Sequence, residues 1–163
     1  MIAAGCIERF LKDVAPMIQG IFHVNINVSD FDRSLAFYKM LGFRVLRDLG
    51  TGGSKQLDIG LNLRNGRARA ALLVLGDDPH ATRIDLIEWT RPPPTGKPYA
   101  DLNHIGIARI AFKTKHLLME YERLKKEGVH FLSSPQETIL GDSRTLFVCF
   151  HDPDGTVLEL IDF

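Results

Sequence analysis

The sequence predicts an α+β fold built from two copies of one βαβββ unit, with a short helix in front of them. Two stretches, 23–42 and 109–128, each pass from a strand-like alternation into a helical pattern that ends at a glycine. A proline-rich segment at 91–96 separates them, since no strand or helix interior tolerates three consecutive prolines. With 163 residues, 45% of them hydrophobic, the chain is long enough for one domain with a substantial core.

Residues 1–20 form the predicted N-terminal helix, and residues 21–163 form the domain itself. Apolar side chains recur at helical intervals in the first segment, namely Ile7, Phe10, Leu11, Val14 and Ile18. Its acidic and basic residues balance, which favours a helix packed on the domain over a membrane-surface helix. A contact between two copies of the chain is the alternative.

The first predicted strand, 23–28, organises the rest of the chain. Apolar side chains alternate there with a polar row of His23, Asn25 and Asn27. A period of two predicts a strand with one buried face and one polar face. Because a histidine begins the polar row, we expect this face to line a ligand-binding cleft.

The first helix begins after Ser29 or Asp30, either of which can cap its N-terminus, and ends at Gly42. Three further strands are expected in this module, which spans 21–90, at 43–47, 67–75 and 83–89. In the last of them Glu88 shares a face with apolar residues. A carboxylate there needs a cation or a hydrogen-bond donor as its partner.

The connection between the second and third strands, 50–66, contains several glycines. It lacks the Lys-Ser/Thr pair of a phosphate-binding loop. Long connections in small domains commonly form a lid or a cleft wall, so we expect residues 55–63 to shape a substrate pocket.

The second module, 105–163, follows a linker at 91–104 and repeats the order of the first. Its predicted elements are a strand, a helix, a strand, a loop around Gly141 and two final strands, at 109–113, 117–127, 129–132, 145–150 and 156–162. A turn at 152–155, which contains a proline and a glycine, joins the last two strands into a hairpin.

The composition argues against several classes of function. Twenty basic and twenty acidic residues leave no net charge, which gives a nucleic-acid or an acidic-membrane partner no electrostatic support. A small neutral or weakly charged ligand fits better. Cys6 and Cys149 lack metal-site spacing and are too few for a disulfide framework, and no apolar run reaches membrane-spanning length. These observations predict a cytoplasmic protein with reduced thiols.

Two motifs resemble the vicinal oxygen chelate superfamily, which includes glyoxalase I, methylmalonyl-CoA epimerase, extradiol dioxygenases and the fosfomycin and bleomycin resistance proteins. The first is HVNINVSDFDRSLAFY at 23–38, followed by LGF at 41–43, and the second is DPDGTVLEL at 152–160. The resemblance covers residues 21–163 and implies two paired βαβββ modules that form a curved sheet lining a cleft. Because this fold hosts several chemistries, the reaction must be argued from the site.

The resemblance also implies a divalent metal in the cleft, held by the first and fourth strands of each module. Matched position by position, it assigns His23, Glu88 and Glu159 as ligands for Mn, Fe, Ni or Zn. Arg109 falls where a fourth ligand, a histidine, is usual. A guanidinium stays protonated and has no lone pair to donate, so the four-ligand set is incomplete.

Two interpretations of this incomplete set remain open. His23 and the two glutamates can bind a metal by themselves, because three protein ligands suffice at many catalytic sites. Alternatively, Arg109 pairs with Glu159 or Glu88, and the cleft binds an organic molecule without metal, as bleomycin-sequestering members of the superfamily do. Repulsion between a fixed cation and a metal favours the second interpretation. The three ligand types that survive at matching positions favour the first.

With a metal bound, the resemblance implies a glyoxalase-like lyase or isomerase that stabilises an oxyanion of a small organic substrate. Glu159, or alternatively Glu88, is then the candidate catalytic base. The candidates for substrate binding are Arg109, Asn25, Asn27 and Trp89. Ring-cleaving dioxygenation ranks lower, because those enzymes normally use two histidines and one carboxylate. Relatives of this length usually form homodimers, which we therefore expect here.

Overall fold

The computed structural model describes residues 18–163 and confirms the predicted α+β class. Module one contains β1 (His23–Asn27), α1 (Phe31–Met40), β2 (Arg44–Gly52), α2 (Lys55–Gly60), β3 (Arg67–Val74) and β4 (Arg83–Arg91). Module two contains β5 (Ile110–Lys113), α3 (Leu117–Lys126), β6 (Gln136–Leu140), β7 (Ser143–His151) and β8 (Val157–Asp162). The N-terminal helix predicted for residues 1–20 lies almost entirely outside the described residues. Within residues 18–163 no helix is long and apolar enough to cross a membrane.

The two modules share one sheet topology. Each has a four-stranded mixed sheet, with the strand order β1-β4-β3-β2 in module one and β5-β8-β7-β6 in module two. In both sheets the first strand pairs in parallel with the last strand, and the remaining pairs are antiparallel. Positions on β1 and β4 can therefore be compared with positions on β5 and β8.

The hydrophobic core is continuous across both modules. One cluster of buried side chains includes Leu86 of β4 and Leu158 of β8, both fully buried. Aromatic rings join the halves, and the ring centroids of Phe43 and Phe112 lie 5.4 Å apart. Because the sheets bury their apolar faces against a shared set of side chains, neither module has a separate core.

Helix α1 begins as the sequence predicts, with Asp30 rather than Ser29 as its N-cap. The Asp30 carboxylate accepts a hydrogen bond from the backbone N–H of Arg33. The helix ends before Gly42, whose φ of 101° lies in the region that favours glycine. Its counterpart α3 has His116 at the N-cap, without a capping hydrogen bond from that side chain.

A polar clasp, formed by Ser29, Arg33 and Asp154, joins the start of α1 to the turn before β8. The Asp154 carboxylate accepts hydrogen bonds from the Ser29 backbone N–H at 2.9 Å and from the Arg33 guanidinium at 2.6 Å. Next to this clasp the buried Tyr38 hydroxyl donates to the Asp152 carboxylate. The clasp and this hydrogen bond attach module one to module two beside the shared core.

Two predicted elements differ from the observed ones. Residues 55–60 form a short helix rather than a loop, capped by the Ser54 hydroxyl. The strand predicted at 129–132 is wrong, since Phe131 makes only an isolated bridge to Phe150. The partner of β7 is instead β6, because a turn with Gly141 at a φ of 62° places the residues directly before it against β7.

Candidate functional site

The pairing of the strands shows which positions in the two modules correspond. Asn25 lies opposite Asp85 in the β1–β4 pair, and Ala111 lies opposite Glu159 in the β5–β8 pair. Asn25 and Ala111 each lie five residues before the N-cap of the helix that follows, so they are equivalent positions. Their strand partners, Asp85 and Glu159, are therefore equivalent as well. His23 lies two residues before Asn25, and Arg109 lies two residues before Ala111. His23 and Arg109 are therefore a second pair of equivalent positions.

His23 and Asp85 form the polar pair of module one. The Nε2 atom of His23 lies 4.0 Å from Oδ2 of Asp85, and the two side chains are 41% and 15% exposed. Asn25 donates from its Nδ2 to the Asp85 backbone carbonyl at 3.1 Å. The first polar row predicted from the sequence therefore includes a carboxylate from the neighbouring strand.

The Asp85 carboxylate is only partly satisfied. Its Oδ1 atom is buried and has no hydrogen-bond partner among residues 18–163. Burial raises the pKa of this carboxyl, and the nearby His23 and Asn25 oppose the rise only in part. A buried acceptor without a donor is costly, so this oxygen would gain from a donor or a cation bound beside it.

Glu88, assigned as a metal ligand from the sequence, lies on the other face of β4. It stands three residues from Asp85, and an odd separation along a strand reverses the face. Its carboxylate accepts a hydrogen bond from the backbone N–H of Phe31, at the start of α1. The structure does not bring Glu88 to His23, and Asp85 occupies the position that the sequence analysis gave to Glu88.

Arg109 and Glu159 form the corresponding pair of module two. The Arg109 Nε–H donates to the Glu159 carboxylate in a direct ion pair. The Glu159 side chain is 5% exposed, whereas that of Arg109 is 46% exposed. The structure thus contains an ion pair between Arg109 and Glu159. The sequence analysis gave this pairing and a pairing of Arg109 with Glu88 as the two alternatives.

Cys149 lies beside this ion pair on the neighbouring strand. Its Sγ atom is 3.8 Å from the Glu159 carboxylate. Burial, followed by the negative charge of Glu159, raises the pKa of the Cys149 thiol, although Arg109 opposes the shift. A raised thiol pKa disfavours the thiolate, which is the form that ligates metals and attacks electrophiles.

A cavity of about 310 Å³ lies beside these pairs. We call it the central cavity, and the lining residues that matter here are Asn25, Asn27, Lys97, Tyr99, Arg109 and Val157. Three of the four residues predicted to bind substrate therefore line it. The fourth, Trp89, is not among the lining residues, but it donates from Nε1 to Oδ1 of Asn27 at 2.9 Å.

Two features of this cavity were not found from the sequence. Lys97 and Tyr99 come from the linker, where no periodic pattern indicates which side chains turn inward. Residues 55–63, predicted to shape a pocket, are absent from the lining of the central cavity. Instead, Asp58 of α2 accepts hydrogen bonds from the backbone N–H groups of Asn65 and Gly66, which stabilises that connection.

The arrangement of donors does not fit the predicted metal. Within residues 18–163, no three His, Cys, Asp or Glu side chains are grouped so as to hold an ion. His23 and Asp85 form one incomplete pair, and Glu159 is already paired with a guanidinium. A cation stands at the position equivalent to His23, where a fourth metal ligand would be needed.

Comparison with known proteins agrees with this architecture. Residues 20–160 match the family model described as the glyoxalase/bleomycin resistance protein/dioxygenase superfamily. A glyoxalase family protein from Bacillus cereus superposes with a TM-score of 0.76 at 17% identity, covering 93% of this chain and 97% of that chain. The fosfomycin resistance protein FosX from Listeria monocytogenes, solved with Mn(II) and sulfate, gives 0.56 at 18% identity, covering 90% and 94%. The uncharacterized protein YwkD of Bacillus subtilis is 29% identical over 149 residues, covering 90% of this chain and 98% of YwkD.

Proposed function

Because the chain belongs to the glyoxalase/bleomycin resistance protein/dioxygenase superfamily, we propose that it binds a small organic molecule in the central cavity without a metal. Arg109 supplies the positive charge at this site. The observation that carries the proposal is the ion pair between Arg109 and the buried carboxylate of Glu159. Asn25 and Asn27 are further polar side chains in the lining of the cavity.

The ion pair opposes metal binding for an electrostatic reason. A divalent ion ligated by Glu159 would lie within a few ångströms of the Arg109 guanidinium. At about 4 Å and an effective dielectric constant of about 20, their repulsion is about 8 kcal/mol. The guanidinium would have to leave, which gives up a charge-assisted hydrogen bond to a carboxylate that is almost completely buried.

A metal-dependent lyase or isomerase is the second candidate, and a separate observation favours it. Oδ1 of Asp85 is buried without a partner, and His23 lies on the same face. These two residues are the ligands that module one would offer, with Glu159 as a third after release from Arg109. When bound, such an ion would polarise a substrate oxygen.

Metal analysis separates the two candidates. The untagged chain, produced with Mn, Fe, Ni and Zn in full supply, is expected to contain well under one metal ion per chain by mass spectrometry. Arg109→His removes the cation and adds a ligand, so the affinity for Zn²⁺ by calorimetry should rise at least tenfold. Arg109→Lys is the matched control that keeps the charge and should gain nothing. One tightly held ion per wild-type chain would overturn the metal-free proposal.

We also propose that the chain forms a homodimer. The support is helix α2, which has no buried residue and leaves Leu57, Ile59 and the adjoining Leu61 largely exposed. Exposed aliphatic groups of this kind mark contact surfaces between proteins. Light scattering should give twice the mass of the chain, and Leu57→Asp combined with Ile59→Asp should shift it toward the monomer. An unchanged mass in the double variant would exclude α2 from the interface.

A further inference from the structure

We propose that the ligand of the central cavity is a small organic monoanion, namely a monocarboxylate with an apolar body. The inference rests on the proposed function, since it names the class of molecule that the metal-free cavity takes. Charge, hydrogen-bonding direction and the shape of the apolar wall each support it.

The charge of the cavity lining suits a ligand that carries one negative charge. Lys97 and Arg109 line the cavity, and the described lining contains no aspartate or glutamate. Glu159, which is not among the lining residues, neutralises Arg109. Lys97 forms no ion pair with any residue of the described part of the chain. The Asp85 carboxylate lies outside the lining, next to His23. One positive charge is therefore uncompensated at the cavity itself.

Three polar side chains of the lining, Lys97, Arg109 and Asn27, present hydrogen-bond donors to the cavity. Arg109 uses Nε for Glu159, and within residues 18–163 its two terminal nitrogens make no hydrogen bond. Oδ1 of Asn27 accepts the hydrogen bond from Trp89, which leaves the Nδ2 group of that amide to donate. A carboxylate accepts hydrogen bonds at both oxygens and suits the two parallel N–H groups of a guanidinium. A neutral amide or alcohol would leave some of these donors unpaired.

Tyr99 of the linker and Ile107 just after it supply an apolar wall. The ring of Tyr99 stacks on His104 with 3.9 Å between centroids and an angle of 12° between planes. Gly106 lies against the same ring, where a Cβ would approach to 3.3 Å, and its φ of 126° favours glycine. Ile107 adds a second apolar contact to the lining. The volume of about 310 Å³ is at the lower end of the ~300–1,000 Å³ typical of ligand pockets, so the apolar body is small.

Titration of the full chain with three probes tests the inference. Benzoate carries one charge, benzamide is its neutral isostere, and phthalate carries two charges. Followed by the amide resonances of Asn27 and Tyr99 in ¹⁵N spectra, benzoate should bind at least tenfold more tightly than benzamide, and phthalate no more tightly than benzoate. Lys97→Gln should weaken benzoate binding about tenfold, the value of one charge-assisted hydrogen bond, and leave benzamide unchanged. Lys126→Gln on α3 removes the same charge at a residue outside the lining of the cavity and should have no effect.

The outcomes distinguish this inference from the proposed function. Equal affinity for benzoate and benzamide, or no effect of Lys97→Gln, would overturn the monoanion and leave metal-free binding intact. No response of the cavity resonances to any probe in a chain that lacks metal would also overturn the monocarboxylate. No response together with one bound metal ion per chain would overturn the proposed function itself.

Discussion

The two modules have the same backbone plan but different chemistry at equivalent positions. In module one, His23 and Asp85 lie 4.0 Å apart in a loose contact, and His23 is substantially exposed. In module two, Arg109 and Glu159 form a direct ion pair around a carboxylate that is almost fully buried. Arg109 has a guanidinium at the position where His23 has an imidazole. This difference replaces a pair that could ligate a metal with a direct salt bridge. A duplicated sheet thus preserves positions, while single side chains decide what each position can bind.

The largest expected effect concerns what the modules share, namely the core. Leu86→Ala in module one and Leu158→Ala in module two should each lower the free energy of unfolding by about 3–5 kcal/mol, because both leucines are fully buried. The single tryptophan, Trp89, lies in module one, so its fluorescence reports that module in urea denaturation. Far-UV circular dichroism reports the whole chain.

The core variants test whether the modules unfold together. If the core is shared, Leu158→Ala should shift the Trp89 transition and the dichroism transition to the same lower urea concentration. A fluorescence transition that stays at the wild-type midpoint would show that module one unfolds alone and would contradict the shared core.

The next largest effect on stability concerns the difference between the Arg109–Glu159 pair and the His23–Asp85 pair. Arg109→Ala leaves a buried carboxylate without its partner and should cost about 2 kcal/mol, below the usual cost of breaking a fully buried pair because Arg109 is half-exposed. His23→Ala, the equivalent change in module one, should cost under about 0.5 kcal/mol. Glu159→Gln added to Arg109→Ala should recover most of the loss in urea denaturation at pH 7. Equal losses of stability in Arg109→Ala and His23→Ala would contradict the difference proposed between the two pairs.

The asymmetry also shows what the sequence could and could not predict. Local alternation was enough to predict β1, its polar row and the repeated module, and one of the two pairings suggested for Arg109 is present. The sequence analysis assigned Glu88, but Asp85 lies beside His23 because of how β4 pairs with β1, a contact between residues about sixty positions apart. Local pattern carries no information on that register. Likewise, apolar residues at 129–132 resemble a strand but pack without a strand partner, since β7 pairs with β6.

A smaller effect should come from the clasp that joins the modules. Burial alone would raise the pKa of the Asp154 carboxyl, but hydrogen bonds from Ser29 and the charge of Arg33 outweigh it and lower the pKa. The stabilisation is therefore present above the unfolded pKa of about 3.9 and is lost as pH falls through the lower folded pKa. Asp154→Asn should cost about 1–2 kcal/mol at pH 7, and its difference from wild type should shrink below about pH 4. Asp142→Asn, in the exposed β6–β7 turn, is the matched control and should change the stability little. A pH-independent loss in Asp154→Asn would contradict the ionic clasp.

The smallest expected effects come from the start of the equivalent helices. Asp30 caps α1 by accepting from the Arg33 N–H, whereas the His116 side chain makes no such bond at α3. Asp30→Ala should therefore lower the free energy of unfolding by about 1 kcal/mol, and His116→Asp should raise it by about 0.5–1 kcal/mol. A carboxylate at position 116 can accept a hydrogen bond from the first turn of α3, and its negative charge interacts favourably with the positive end of the helix dipole. Both changes are measured by urea denaturation at pH 7, and a loss of stability in His116→Asp would show that the φ of −136° and ψ of 53° at this position do not permit a side-chain cap.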